Sequence, residues 1–398
     1  MKNIIIAIAC AASALPLAAS GPVPDSLLTP SSMATSIVTG APLSDAMLIG
    51  AEAAGYALMP EANLPDPRME GEVLGGPAGV KPRWNAGISW ELDWPGVYSA
   101  RRRLAADEAR ALQYDAYADI LSRSADVRAL IIGAIHDMAA IRTLREIEAD
   151  NDSMMLHLRK GVEHGQMTRL DISKLSIEQA RVRSRISDLH MKLDETIATL
   201  NGEYDARLDS VTLVAMHYDS PEIAPLEIYM ENLRASMSFV ALRAGTQAAR
   251  SAMTVARREN LPGIGVGYVH AFEDGTHFNG GSLSVSIPIF SSKGKTKAAE
   301  AALFAAEADE DVRTQAALRT LDERYSLAAE LKKRAEALAP ALLDVSQYEL
   351  LHKAWLGGEW SLLRYLQERA YFLEARLDYL AIERDLQLAI SELTRGMR

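Results

Sequence analysis

Residues 161–202 read GVEHGQMTRLDISKLSIEQARVRSRISDLHMKLDETIATLNG. The stretch opens on a polar interruption, His164-Gly165-Gln166-Met167-Thr168, with glycine where a helix must stop and turn. Beyond it Val182, Ile186, Leu189, Leu193 and Leu200 recur at alternating steps of four and three, with Thr196 in the remaining place. Strict spacing of this kind makes a coiled-coil seam. A shift of 193 positions gives Ala375, Tyr379, Ile382, Leu386 and Leu393, and carries Gly165 onto Gly358 and Leu170 onto Leu363. Two halves with one period indicate an internal repeat.

Proline usage extends the picture outward. None lies between Pro95 and Pro221, and none follows Pro340. Proline is rarely tolerated inside helices, and these stretches are rich in Ala, Leu, Glu and Arg, which favour them. The expectation is long helices over about 96–163, 168–200, 293–356 and 360–395, with a kink at Pro340. At about 1.5 Å per residue the longer arms reach on the order of 100 Å, more than any globular core spans.

Each half opens with short runs of period two. Strands are expected at about 68–74, 86–94, 263–271 and 281–290. Ile88, Trp90, Leu92 and Trp94 alternate with Ser89, Glu91 and Asp93; Leu283, Val285, Ile287 and Ile289 alternate with Ser282, Ser284, Ser286 and Pro288. A soluble four-stranded sheet with one buried face fits this pattern, and so does a membrane barrel. On a barrel, Ile88, Trp90, Leu283, Val285 and Ile287 face lipid, while Glu91, Asp93, Ser284 and Ser286 face the lumen, because charge on the lipid side is costly. Four strands cannot close a barrel, and an open edge in lipid is forbidden. Three copies would supply twelve strands, and the same symmetry would gather their helical arms into a tube.

The first twenty residues read as an export signal: Lys2, a short apolar run and the exit site Ala18-x-Ser20. Cys10, the single cysteine, lies inside it, so a mature chain cut after Ser20 has no disulfide or thiolate chemistry. Ala7-Ile8-Ala9-Cys10 faintly resembles a lipoprotein box. No later apolar run is long enough for a transmembrane helix. The formal net charge of −11 argues against a nucleic-acid partner. There is no Walker loop, dinucleotide fingerprint, G-x-S-x-G or H-E-x-x-H, so an enzyme is not expected. Met154, Met155, Met167 and the eight histidines show no spacing such as His-x-x-x-His, and no metal site or cofactor is expected.

Three segments carry a family likeness: 161–202; 256–290, with ARRENLPGIGVGYVHAF and GSLSVSIPIF; and 357–396, the second turn and return. Their order, spacing and duplication resemble the TolC-type outer-membrane efflux family over roughly residues 42–398. The resemblance divides the chain into a signal (1–20), an extended N-terminal segment (21–41), a first repeat (42–202), a linker (203–220) and a second repeat (221–398). It implies a mainly α protein with a small membrane β part. A homotrimer would share a 12-stranded barrel in the outer membrane of a Gram-negative bacterium and extend an α-helical tunnel into the periplasm. Such a duct performs no chemistry. It meets outer-membrane lipid, a periplasmic adaptor and an inner-membrane pump, with the RND type expected. Gly165, Gln166, Gly357 and Gly358 would form the adaptor-contacting tip, with Asp171 and Arg364 as candidates for a tunnel-entrance gate. Small molecules or metal ions are the expected cargo. Alternatives are a type I secretion channel and a non-pore periplasmic coiled-coil scaffold.

Overall fold

The computed structural model describes residues 29–75, 81–209, 216–220, 222–273, 275–288, 294–342 and 346–397. The expected export signal, Cys10 and the exit site lie outside the described residues. The chain runs α1 (Pro30–Gly40), α2 (Pro42–Ala57), β1 (Arg68–Leu74), β2 (Arg83–Leu92), α3 (Pro95–Glu163) and α4 (Arg169–Tyr204). It continues through α5 (Leu226–Arg234), α6 (Met237–Arg258), β3 (Gly263–Glu273), β4 (Thr276–Ser286), α7 (Lys295–Leu342), α8 (Ser346–Leu356) and α9 (Leu362–Leu393).

Helix α3 is 69 residues long and contains no proline after Pro95 at its start. Its rise is about 100 Å. It packs against α4, α6 and α9, and against α1 and α2. The core is strung along this length rather than gathered in one place. Near the middle, Ile131 and Val127 of α3 meet Ala34 and Val38 of α1 and Leu193 and Leu200 of α4. Further along, Ile141, Leu144 and Ile147 of α3 meet Val182 and Ile186 of α4 and Leu373 of α9. At the far end, Met154, Leu158 and Leu175 meet Leu351, Trp355, Leu362 and Tyr365.

The first seam is therefore buried, with Leu189 only half so. In α9 the burial differs from the heptad reading. Leu386 and Leu393 are buried, but Leu373 rather than Ala375 joins the core at the level of Val182. The reason is that α9 packs on both α3 and α7, so its buried surface is wider than one stripe.

Residues 30–40, expected to be extended, are helical instead. Pro30 occupies the first turn, and Thr29 and Ser32 cap it reciprocally, which together nucleate a helix. The described parts of the expected linker 203–220 are packed against the helices. Asn201 receives the Leu208 amide at 2.7 Å and donates to the Leu208 carbonyl at 2.9 Å, and Tyr204, Leu208 and Met216 are buried. Helices α5 and α6 fall in a stretch for which no helix was expected. The expected helix over 293–356 is described as α7, with Pro340 in its last turn, and α8; residues 343–345 lie outside the described set.

The four strands form one antiparallel sheet in the order β1-β2-β3-β4. Directly opposed residues share a face. One face carries Met69, Ile88 and Tyr268, then Trp90, Val266 and Leu283, then Leu92, Ile264 and Val285. The other carries Arg68, Ser89, Gly267 and Ser282, then Glu91, Gly265 and Ser284. Strand β2 starts and ends earlier than expected, at Arg83 and Leu92.

Candidate functional site

The sheet and the far end of the helices are the two regions with functional geometry. On the sheet, the apolar face is exposed: Met69 is 85% and Leu283 76% accessible. Strands β1 and β4 are exposed along their whole length and each pairs on one side only. A flat apolar surface between two bare edges is not a stable end state in water.

The polar face is built from small residues. The hydroxyls of Ser284, Ser282 and Ser286 fill the places where Gly265, Gly267 and Gly263 would carry side chains; Ser282 Oγ is 2.5 Å from such a position at Gly267. The glycines of β3 thus let β4 approach, with Glu91 beside Gly265. Any side chain at Gly263, Gly265 or Gly267, alanine included, would have to displace this ladder.

Two expected positions move. Asp93 lies beyond β2, in the link to α3, and does not share the strand's alternation. Its amide donates to Tyr98 Oη at 2.7 Å, and its carboxylate pairs with Arg101 at 2.8 Å. Arg101 also pairs with Glu259 at 2.7 Å, which fastens the sheet to the helices. Trp90 is half-buried because its indole N–H donates to the Pro65 carbonyl at 2.7 Å, laying the lead-in segment against it. Ile88, Leu283, Val285 and Ile287 are exposed, with Ile287 just past the end of β4.

At the other end, the two turns share one backbone design. Gly165 has φ +71° and Gly358 φ +75°, the left-handed region that favours glycine. The Gly165 amide donates to Val162 O and the Gly358 amide to Trp355 O, both at 3.1 Å. Gln166 donates to Gly161 O at 2.8 Å, and Glu359 to Ala354 O at 3.1 Å. Gly165 and Gly358 face open space, whereas a side chain at Gly357 would sit 3.2 Å from Lys353 O.

Asp171 and Arg364 are each engaged within their own turn rather than with one another. Thr168 donates its amide at 3.1 Å and its hydroxyl at 2.6 Å to the Asp171 carboxylate, and the Asp171 amide donates back to Thr168 Oγ1 at 3.3 Å. The hydroxyl hydrogen bond holds the Asp171 carboxyl below its ordinary range. Arg364 lies over the Trp360 ring at 4.7 Å, and its amide donates to Ser361 Oγ at 3.3 Å. Within one chain, then, Asp171 serves as a helix cap and Arg364 as a stacked cation.

The polar link between neighbouring helices lies deeper. Arg369 of α9, only 3% exposed at its side chain, donates to Asp150 Oδ2 of α3 at 2.7 Å and to Asn151 Oδ1 at 2.6 Å. Tyr365 Oη donates to the same Asp150 oxygen at 3.0 Å, and His352 Nδ1 lies 3.6 Å from the other. Arg369 also lies 5.5 Å from the Tyr365 ring centroid. A buried guanidinium with this many acceptors fixes α9 to α3 just behind the turns. Sequence reasoning missed it because its members lie more than two hundred positions apart and follow no local spacing.

A cavity of about 330 Å³ opens between α7 and α9, lined by Tyr218, Lys332, Tyr379 and Glu383. Burial pushes the Glu383 carboxyl up from its ordinary value. Among the described residues no helix is long and apolar enough to cross a membrane.

No family model matches the chain, and no curated protein matches it by sequence. Solved structures do match, over nearly the whole chain. A membrane protein from Pseudomonas aeruginosa superposes with a TM-score of 0.74 at 17% identity, over 96% of this chain and 95% of that one. CusC, described in connection with folding and transmembrane channel formation, gives 0.74 at 13%, over 93% and 92%. The outer membrane protein VceC of Vibrio cholerae gives 0.72 at 14%, over 92% and 95%. At these identities the agreement concerns the fold.

Proposed function

We propose that this chain, whose fold is the TolC-type fold of outer-membrane channel proteins, is the outer-membrane exit duct of a tripartite efflux machine. The observation that carries the reading is the four-stranded sheet with one bare apolar face and two unpaired edges, mounted on helices about 100 Å long. Backbone groups in lipid must all be paired, so such a sheet is completed by further copies. Three copies place β4 of each beside β1 of the next and close twelve strands, in the size range of outer-membrane barrels.

In this assembly Ile88, Leu283, Val285 and Ile287 face lipid, with Trp90 near the interface. Glu91, Ser284 and Ser286 line the lumen over the glycine ladder. The helices of three copies enclose the tunnel, and the corresponding turns of the two halves form its periplasmic rim. There the turn residues Gly165, Gln166, Gly357 and Gly358, with open space at Gly165 and Gly358, admit the backbones of an adaptor's helices. The Asp150–Tyr365–Arg369 link holds α9 against α3 behind that rim and keeps the entrance narrow at rest. The duct moves small molecules or metal ions handed over by the adaptor and an RND-type inner-membrane pump, and catalyses nothing itself.

Fractionation tests the reading. The protein is expected in the outer membrane, released only by detergent, with the native mass of three copies. A chain that stays monomeric in plain buffer after removal of its leader refutes it.

A further inference from the structure

The β3–β4 hairpin carries a feature that the duct does not need. At its far end, on the apolar face, two histidines meet across the strands: His270 Nε2 lies 3.2 Å from His277 Nδ1. They sit diagonally, since His270 is opposite Asn279 and His277 is opposite Phe272. The rings are stacked, with centroids 5.2 Å apart and an interplanar angle of 27°. Both are reachable from solvent: His277 is exposed and His270 half-buried.

The second nitrogen of His270 is already spoken for. His270 Nδ1 lies 2.6 Å from Asn279 Oδ1, which also accepts from Tyr268 Oη at 2.8 Å. An amide oxygen that receives a tyrosine hydroxyl can only accept from the imidazole, so Nδ1 carries the hydrogen. The lone pair is then on Nε2, aimed at His277. Fixing one ring nitrogen by an outer acceptor so that the other is free to ligate is the arrangement metal-binding histidines use.

The spacing fits an ion. Two imidazole nitrogens each about 2.0–2.1 Å from a divalent transition metal lie roughly 3.4 Å apart at a tetrahedral angle and roughly 3.0 Å apart at a right angle. The observed 3.2 Å falls between the two. Trp84, 5.4 Å from His270, and Phe272, 5.0 Å from His277, wall the pair on the apolar face and restrain the rings. From Ile264, at the helical end of β3, the strand rises about 20 Å to His270, so the pair lies at the rim of the sheet farthest from the helices.

We propose that His270 and His277 form a two-imidazole site for a borderline divalent transition-metal ion, of the zinc, nickel or copper(II) class. Asn279 orients His270, and water completes the coordination. The ion clips β3 to β4 across the hairpin end. The site stands on the geometry of the hairpin alone and does not depend on the duct reading.

The test uses the full chain purified in detergent, with Cys10→Ser to remove the single thiol, titrated calorimetrically with nickel and zinc salts. One high-affinity ion per protomer is expected. His270→Gln and His277→Gln each weaken it at least tenfold, Asn279→Leu weakens it roughly 10–100-fold as loss of an outer-shell partner does, and His164→Gln at the first turn leaves it unchanged. His277→Cys retains uptake and gives a thiolate-to-metal charge-transfer band with cobalt(II), which no purely structural role produces. Absence of uptake by the parent chain, uptake that persists in the His270→Gln/His277→Gln double variant, or a folded His277→Cys chain without that band each overturns the site.

Discussion

Arg369 shows what a single residue contributes just behind the two turns. Its guanidinium is held by Asp150, Asn151 and the face of Tyr365 in a place water does not reach. Asp150→Ala leaves that charge buried without its counter-ion, which costs about 3–5 kcal/mol. The expected results are a lower unfolding midpoint and, in planar bilayers, a larger conductance. Replacing both partners, as Asp150→Leu with Arg369→Met, is expected to restore most of the stability while leaving the conductance raised, which separates anchoring from folding. Asp171→Ala removes only a helix cap and is expected to leave conductance unchanged. Because the folded-state pKa of Asp171 is depressed, its contribution is complete at neutral pH and fades as pH falls through that lowered value. Hydrogen exchange of the amides at the start of α4 should rise there and not above. Glu383 has the opposite sign. Burial raises its pKa, so stability falls as pH climbs from the ordinary glutamate range through the folded value. Glu383→Gln is expected to raise the melting temperature at neutral pH, and the gain should vanish in acid.

Among the elements, the turns and the sheet are the most sensitive. Gly165→Leu and Gly358→Leu force a side chain into the left-handed region, at about 1–2 kcal/mol each, and crowd a surface now open. Export is expected to stop while assembly and membrane insertion persist; unimpaired export by the double variant would remove the turns from the docking rim. On the sheet, Gly265→Val collides with Ser284, whereas Gly280→Ala meets nothing within 4 Å. The first is expected to abolish the assembled barrel and the second to be silent in a heat-modifiability assay on gels. The turns and the strands were legible in the sequence because glycine at a positive φ, seam spacing and period-two alternation are local signals. The end of β2 was misjudged because Trp94 continues the alternation while Pro95 starts a helix. The helix at Pro30 was missed although Thr29, Pro30 and Ser32 spell a capped start. The Asp150–Arg369 link and the His270–His277 pair were invisible for a different reason: each exists only after two distant or hairpin-related segments have been brought together.

For the whole molecule, the bare edges make a covalent test available. With Cys10, the single cysteine of the sequence, replaced by Ser, one cysteine in β1 and one in β4 of the same protein should cross-link neighbouring copies into a closed trimer for the correct register and into nothing larger. A ladder of open multimers would contradict a closed ring. The length of the helices has a consequence of its own. α3 and α4 run back to back from a fixed turn along a seam that recurs every seven residues. Removing one residue from α3 would swing everything beyond it by about 100° and detune every contact downstream. Removing seven keeps the phase and shortens the arm by about 10 Å, but only if α4 and the second pair of arms lose the same amount. The reach of the helical arms is therefore graduated like the teeth of a ratchet, adjustable only by whole notches taken in all arms at once.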